Sequence, residues 1–353
     1  MKPTINIPDE IPLININDAL IETLNEVNKE RSGNQYGLYS RWNSLNILQG
    51  RYFRFGQVNL FCSLSGHGKS FMFNLLKQDF SEIEDLRNGQ GDIVKNGLNS
   101  SFKDNVLLLY FGFEQTYISE LIRSLSGITK FSYSKIISSE YDLDLKDFTF
   151  LSDEDYKIIE NKANYLKNRP IYYINKKLDT KGIYEIITKI KRNNPNYKLV
   201  LFFDHNFLIA KKSDSVTDIQ LTQDVANLYI VLSKLGCMVN ALHQMNNEIK
   251  DINRLTRPEL HYPMDKDIYC GSQIFWACDN VYIFPYQPFL LNIDYYSPLK
   301  LKTQFEENGE LINLIVCRKI KSRNGVIGER YFKNYLSQGR ILSTTIKELK
   351  NYK

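Results

Sequence analysis

The sequence predicts an α/β fold, a mostly parallel central sheet flanked by helices with one short helix ahead of it, on three observations. Seven apolar runs of strand length recur along the chain: QVNLFC (57–62), NVLLLYFGF (105–113), PIYYIN (170–175), KLVLFFD (198–204), CMVNALH (237–243), NVYIFP (280–285) and LINLIVCRK (311–319). Helix-patterned stretches fall between most of them, at 70–80, 116–126, 153–166, 181–193 and 217–235. Near-continuous apolar strands alternating with helices are strands buried on both faces, as in a parallel sheet. Finally, 353 residues without an internal repeat or low-complexity tract suffice for one large domain and a small appendage.

Taken in order, residues 1–16 are extended and punctuated by Pro3, Pro8 and Pro12. Asn17 is placed to cap a helix over 18–31, with Leu20, Leu24 and Val27 on one face and Gly33 just past its end. A polar stretch, SGNQYG, follows, so the division falls into an extension with a helix (1–36) and the main domain (37–353). The helix pattern fits two arrangements equally: packing on its own domain, or docking as a linker on a neighbouring subunit. Residues 86–104, polar and rich in Gly and Asn, read as a surface insertion.

Bulk composition excludes several classes. Hydrophobic residues at 43% and charged residues at 24% describe an ordinary soluble globular protein. A net charge of +5, from 45 Lys and Arg against 40 Asp and Glu, permits contact with a polyanion without announcing one. Frequent Asn, Ile and Lys, with 23 Tyr and 20 Phe, point to an AT-rich genome. The five cysteines (Cys62, Cys237, Cys270, Cys278, Cys317) form no CxxC pair, and the four histidines lack metal-ligand spacing. That pattern fits reduced core thiols in a cytosolic compartment, not a disulfide frame or a zinc site. The N-terminus has no apolar signal core, and no run approaches the ~18 apolar residues of a membrane span.

The strongest chemical signal is VNLFCSLSGHGKSFMFNLL. An apolar strand ends near Cys62, the loop Ser63-Leu64-Ser65-Gly66-His67-Gly68-Lys69-Ser70 follows, and an apolar-periodic helix starts at once. This is the context a Walker A phosphate loop requires. Gly66 and Gly68 let backbone N–H groups close around phosphate oxygens, and the helix N-terminus adds its partial positive charge. Lys69 is placed to reach the β- and γ-phosphates of ATP and Ser70 to hold Mg²⁺. The motif departs from GxxxxGK[ST] at its first glycine, which is Ser63 here. Asp204, ending KLVLFFD, fits a Walker B carboxylate that orients the Mg²⁺ hydration shell; alone it is equally an ordinary turn or cap. His205 follows it, so this strand supplies no base. Glu114, after LLLYFGF, stands at the carboxyl end of a strand, where ligands gather in open α/β sheets, and can polarise the attacking water.

These three pieces, in this order, resemble the DnaB family of RecA-like hexameric replicative helicases and its phage and mitochondrial relatives, from about Gly37 to about Tyr335. FGFEQTYISELIRSLSGI is similar to the family's second motif, with Glu114 on the catalytic glutamate and Arg123 on the arginine nine positions later. DHNFLI is similar to the phage branch. ALHQMN puts Gln244 on the residue that senses the γ-phosphate, with His243 either its companion or a structural residue. RKIKSRNGVIGERYF resembles the finger strand whose Lys-x-Arg, here Lys321 and Arg323, reaches the ATP of the next subunit.

The resemblance further implies two loops that grip single-stranded DNA, mapping to 210–218 (Lys211, Lys212) and 246–273 (Lys266, Tyr269, Gly271, Ser272). Relatives carry an Arg where this chain has Tyr269, which either stacks on a base or packs. The implied activity is ATP-driven 5′-to-3′ translocation and strand separation by a hexameric ring with active sites in trans, with a primase or helicase loader as a further partner and a bacterial cytosolic setting; the AT-rich composition fits a cellular or a phage origin. With about 36 residues ahead of the motor, the motor interfaces and the linker helix are expected to hold the ring. Two other readings stand beside it: a RecA-like recombination ATPase, disfavoured by the FGFE segment and Lys321-x-Arg323, and a catalytically silent nucleotide-binding scaffold or virion protein.

Overall fold

The computed structural model describes residues 16–31, 37–82, 85–87, 92–95, 106–113, 116–129, 131–138, 150–174, 176–213, 215–335 and 340–352. By compactness the chain divides into Met1–Tyr36 and Gly37–Lys353. In the first unit, α1 (Ile16–Arg31) begins earlier than expected, so Asn17 sits inside its first turn and does not cap it. Its apolar stripe, Ile16, Leu20, Leu24 and Val27, follows helical spacing, and each of these side chains is 50–69% exposed.

The second unit is built on a ten-stranded sheet. Its strands are β1 (Val58–Ser63), β2 (Val106–Gly112), β3 (Ile171–Ile174), β4 (Lys198–Asp204), β5 (Met238–Gln244), β6 (Asn280–Tyr286), β7 (Gln304–Glu307), β8 (Glu310–Ser322), β9 (Gly328–Tyr335) and β10 (Arg340–Thr344). The spatial order is β10-β9-β8-β6-β1-β5-β4-β2-β3, with β7 on β8. From β6 to β3 all pairings are parallel. From β6 through β8 and β9 to β10 they are antiparallel. All seven anticipated strands form. The antiparallel flank was missed beyond β8, because GERYFKNY sets pairs of polar residues among its aromatic ones instead of running apolar.

The principal helices of this unit are α2 (Asn43–Gln49), α3 (Lys69–Phe80), α4 (Tyr117–Thr129), α5 (Asp153–Leu166), α6 (Thr180–Asn193), α7 (Asp218–Lys234) and α8 (Gly271–Ala277). Alternate strand residues feed two cores. Leu60, Cys62, Leu201 and Phe203 pack with Ile183 and Ile187 of α6 and Leu221, Val225 and Leu232 of α7. Phe61, Val200 and Phe202 pack on the other face with Trp42 and Leu45 beside Met72, Phe73 and Phe80 of α3. All five cysteines are free thiols, four of them buried.

Register is fixed by polar groups as well. Asn280, Asn59 and Asn240 lie side by side across β6, β1 and β5, all buried. Asn280 Nδ2 donates to Asn59 Oδ1 at 3.0 Å, Asn59 Nδ2 to Asn240 Oδ1 at 3.1 Å, and Asn240 Nδ2 to the Leu201 carbonyl at 3.4 Å. A one-residue slip would break the row in a medium that cannot replace it. Asn59→Leu is expected to strand partners on both neighbours and cost roughly 2–6 kcal/mol, read from chemical denaturation.

Candidate nucleotide site

Parallel pairing brings four strand ends together. Ser63 of β1 lies beside Gln244 of β5, and Gly112 of β2 lies beside Asp204 of β4. The loop after β1 turns on Gly66 and Gly68, at φ 81° and 88°, values a side chain rarely adopts and which point successive N–H groups inward. A Cβ built on Gly66 would meet nothing within 4 Å, so the space over the loop is open. Helix α3 starts at Lys69 with no side-chain cap, leaving its first-turn N–H groups for a ligand. Lys69 and Ser70 are half-buried, and neither side chain has a hydrogen-bond partner among the described residues. These donors fit a phosphate chain.

The other loop residues divide by direction. Ser65 is exposed. Ser63 is buried in the strand, and its hydroxyl donates to the Pro285 carbonyl at 2.7 Å. His67 is also buried: its Nδ1 accepts from the Gln287 N–H at 3.0 Å, its carbonyl accepts from Gln287 Nε2 at 2.8 Å, and its ring stacks on Tyr286. Burial, helped by Lys250 and Lys69, lowers the His67 pKa to about 4, so the ring stays neutral and Nδ1 keeps the lone pair this contact needs. Gln287, just past β6, thus braces the loop from 220 residues away. Nothing in the local sequence announces that role.

Asp204 is buried, and its Oδ2 accepts from the Tyr110 hydroxyl at 2.8 Å. Burial, with Asp204 and Glu120 adding, raises the Tyr110 pKa well above the usual range and keeps it a donor. The Phe113 N–H donates to the Asp204 carbonyl at 2.9 Å, fixing the chain as it leaves β2. Glu114 lies outside the described residues. Arg123, on α4, is half-buried without a hydrogen bond to a described residue.

Behind Gln244 runs a buried relay. Tyr229 donates to Asn206 Oδ1. Asn206 Nδ2 lies 3.3 Å from His243 Nδ1, and His243 Nε2 lies 2.7 Å from the Tyr269 carbonyl. Because a carbonyl only accepts, Nε2 carries the proton and Nδ1 accepts. The Tyr269 N–H returns to the Gln244 carbonyl at 3.1 Å. Burial lowers the His243 pKa to about 4, against the pull of the Tyr269 carbonyl.

The two histidines carry a pH dependence. Their folded pKa of about 4 lies below the ordinary 6.5, so below pH 6.5 the unfolded chain binds more protons. Stability is full above that pH and falls toward pH 4 by about 1.4 kcal/mol per unit for each. Burial raises Asp79 to about 6 despite Arg41, so its effect runs the other way and offsets one histidine. A net loss of about 1.4 kcal/mol per unit is expected between pH 6 and 4, read from urea midpoints; a flat midpoint would mean the rings protonate within the fold.

Lys321 and Arg323 sit elsewhere. Lys321 faces Val281, which pairs with Leu60, and Ser322 faces Asn280, which pairs with Asn59. The pair therefore lies at the amino end of β1, with Lys321 about 10 Å of strand short of Ser63 and Arg323 farther still. Lys321 Nζ donates to the Phe275 and Trp276 carbonyls at 2.7 and 3.1 Å, and burial lowers its pKa. Arg323 bonds Asp279 Oδ1 at 3.1 Å and the Trp276 carbonyl at 3.2 Å, and its side chain is 54% exposed. Both cations close the carboxyl end of α8.

The two loop segments meet at the start of α7. Lys211 pairs with Asp218 and Lys212 with Asp224, each at 2.9 Å, and the exposed Tyr269 donates to Asp218 Oδ2 at 3.4 Å. The second segment is clamped by buried Arg254, which grips Asp267 at 2.5 and 2.7 Å and two carbonyls besides. Lys266 is exposed beside that clamp. Gly271 opens α8 so close to Ile268 that a Cβ would fall 2.6 Å from it, and exposed Ser272 bonds Gln273.

The sequence matches no protein-family model and no curated protein. Solved structures do match. The ATPase domain of a phage helicase superposes with a TM-score of 0.69 at 17% identity, over 94% of this chain and 99% of that one. A DnaB-like replicative helicase, described with its interactions with primase, gives 0.69 at 16% identity, over 94% of this chain and 69% of that one. The chain therefore has the RecA-like ATPase fold, a mostly parallel central sheet flanked by helices. Within that class, its fold is that of a DnaB-type helicase ATPase domain.

Proposed function

We propose that this protein is an ATP-dependent DNA helicase motor of the DnaB type, translocating 5′ to 3′ on single-stranded DNA as a ring, a hexamer by analogy with the resemblance. The observation that carries the reading is the separation of two half-sites on one chain. Lys69, Ser70, Gln244 and Asp204 gather at the carboxyl edge of the sheet, whereas Lys321 and Arg323 stand near its amino edge. A head-to-tail neighbour unites the halves; one chain cannot.

In this reading Lys69 and the glycine loop neutralise the β- and γ-phosphates, Ser70 and Asp204 hold Mg²⁺, and Glu114 orients water. Arg123 supports the same nucleotide, and Arg323 with Lys321 completes the site from the next subunit. Gln244, whose carbonyl is tied to Tyr269, carries the γ-phosphate state to Lys211, Lys212, Lys266, Tyr269, Gly271 and Ser272 along the DNA. The exposed stripe of α1 suits a linker helix docked on a neighbour. A primase or loader is a natural further partner, and the setting is the bacterial cytosol; no helix among the described residues is long and apolar enough to cross a membrane.

ATP hydrolysis measured with and without single-stranded DNA, across protein concentrations, tests this. Strong stimulation that rises cooperatively with concentration is expected. Nucleotide binding without hydrolysis under any condition would leave the silent-scaffold reading instead.

A further inference from the structure

We propose that Tyr110 is a positioning residue for Asp204, and that a buried Lys77–Glu120 pair holds it there, so that this cluster sets how tightly the site retains Mg²⁺; the proposal rests on the nucleotide-site reading above. Apart from Tyr110, the run VLLLYFG on β2 is wholly apolar. Tyr110 pairs in register with Phe202 of β4. Residues 202 and 204 point to the same face of a strand, so a ring opposite 202 needs about two residues of reach, some 6–7 Å, to touch 204. A tyrosine spans that distance, and its hydroxyl donates to Asp204 Oδ2 at 2.8 Å.

A phenylalanine would fill the same space. The same core already holds Phe73 and Phe80 each against Phe202, so packing alone does not call for the hydroxyl. What the hydroxyl adds is orientation: it fixes the carboxylate's rotation, which decides whether Asp204 can face the cation beside Ser70. Groups that hydrogen-bond a metal-orienting carboxylate in this way govern affinity strongly.

Tyr110 is itself clamped. The buried Lys77 ammonium lies 4.3 Å over its ring and 5.0 Å over that of Tyr173. Lys77 donates to the Tyr173 hydroxyl at 3.2 Å and to Glu120 Oε2 at 3.4 Å, and Lys77 and Glu120 are each about 1% exposed. A buried ion pair is a costly way to fill a core, and the role assigned to this one is to fix a geometry. Here it ties α3, which begins at Lys69, to α4, which begins just past Glu114, with the Asp204 strand reached through Tyr110.

The test is nucleotide binding and hydrolysis as functions of Mg²⁺ concentration, in wild type, Tyr110→Phe, Asp204→Asn and the double variant, with thermal midpoints confirming that each folds. Tyr110→Phe is expected to raise the Mg²⁺ half-saturation about tenfold or more, with turnover largely recovered at high Mg²⁺. In the Asp204→Asn background the same change should add little, because the partner is already altered. Unchanged Mg²⁺ dependence, or additive effects in the double variant, would overturn the role of Tyr110 and leave the nucleotide site standing. A wild type whose nucleotide binding ignores Mg²⁺ would overturn both.

Discussion

Glu114→Gln is expected to leave Mg²⁺-dependent ATP binding within about twofold of wild type while turnover falls by about 10²–10⁴-fold, the usual contribution of a positioned general base. The reasoning starts from strand chemistry. β2 runs parallel to β4 and ends with Gly112 beside Asp204, and the Phe113 N–H is bonded to the Asp204 carbonyl. Phe113 therefore lies beside the residue whose carboxylate is proposed to hold Mg²⁺, and Glu114 is the next residue in the sequence. His205 follows Asp204 in place of an acid, so β4 offers no second carboxylate for the water. Gln keeps the shape of Glu and loses only the proton acceptor, which separates chemistry from binding. A fluorescent-nucleotide titration beside steady-state hydrolysis measures both. Near-normal turnover in the variant would remove Glu114 from the mechanism.

How much of this was legible beforehand follows from what each residue must do. A strand buried on both faces is apolar at most positions, so KLVLFFD and CMVNALH announce themselves despite the buried Asn240 and His243, and the parallel half of the sheet follows. β9 (GERYFKNY) and β10 (RILST) carry neither an apolar run nor a clean alternation and do not. The strand–loop–helix turn proposed to hold phosphate was legible as a turn because its geometry needs glycine at two fixed positions, Gly66 and Gly68. The groups that hold it were not. Gln287 acts on His67 through the fold, and tyrosine is as ordinary in a strand as phenylalanine, so Tyr110 passed as one more apolar residue. Residues 246–273 were expected, from the resemblance, as a loop that grips DNA, yet the Arg254–Asp267 clamp buries two charges within them; a pair thirteen residues apart leaves no periodic trace.

Arg323→Ala carries the other large expectation: at protein concentrations that permit assembly, ATP turnover should drop by about 10³-fold or more, as removal of an arginine finger does. The geometry makes a stronger demand than loss alone. Arg323 stands beyond Lys321 on the amino side of β1, away from its own Lys69, so the function proposed for it would have to be exercised on a neighbour. Its present contacts do not forbid this. The pair with Asp279 is half exposed, and exposed pairs are worth at most about 1 kcal/mol, so the guanidinium detaches easily when a phosphate is presented. Lys69→Ala should be inactive for the complementary reason, having lost its grip on the nucleotide. Mixed one to one and reassembled, the two variants place an intact Lys69 against an intact Arg323 at about a quarter of head-to-tail interfaces. Turnover should reappear in the mixture at a corresponding fraction of wild type, although neither variant turns over alone. If the mixture stays silent while both variants assemble, Arg323 and Lys321 are the cations that close the end of α8, and the shared active site falls with them.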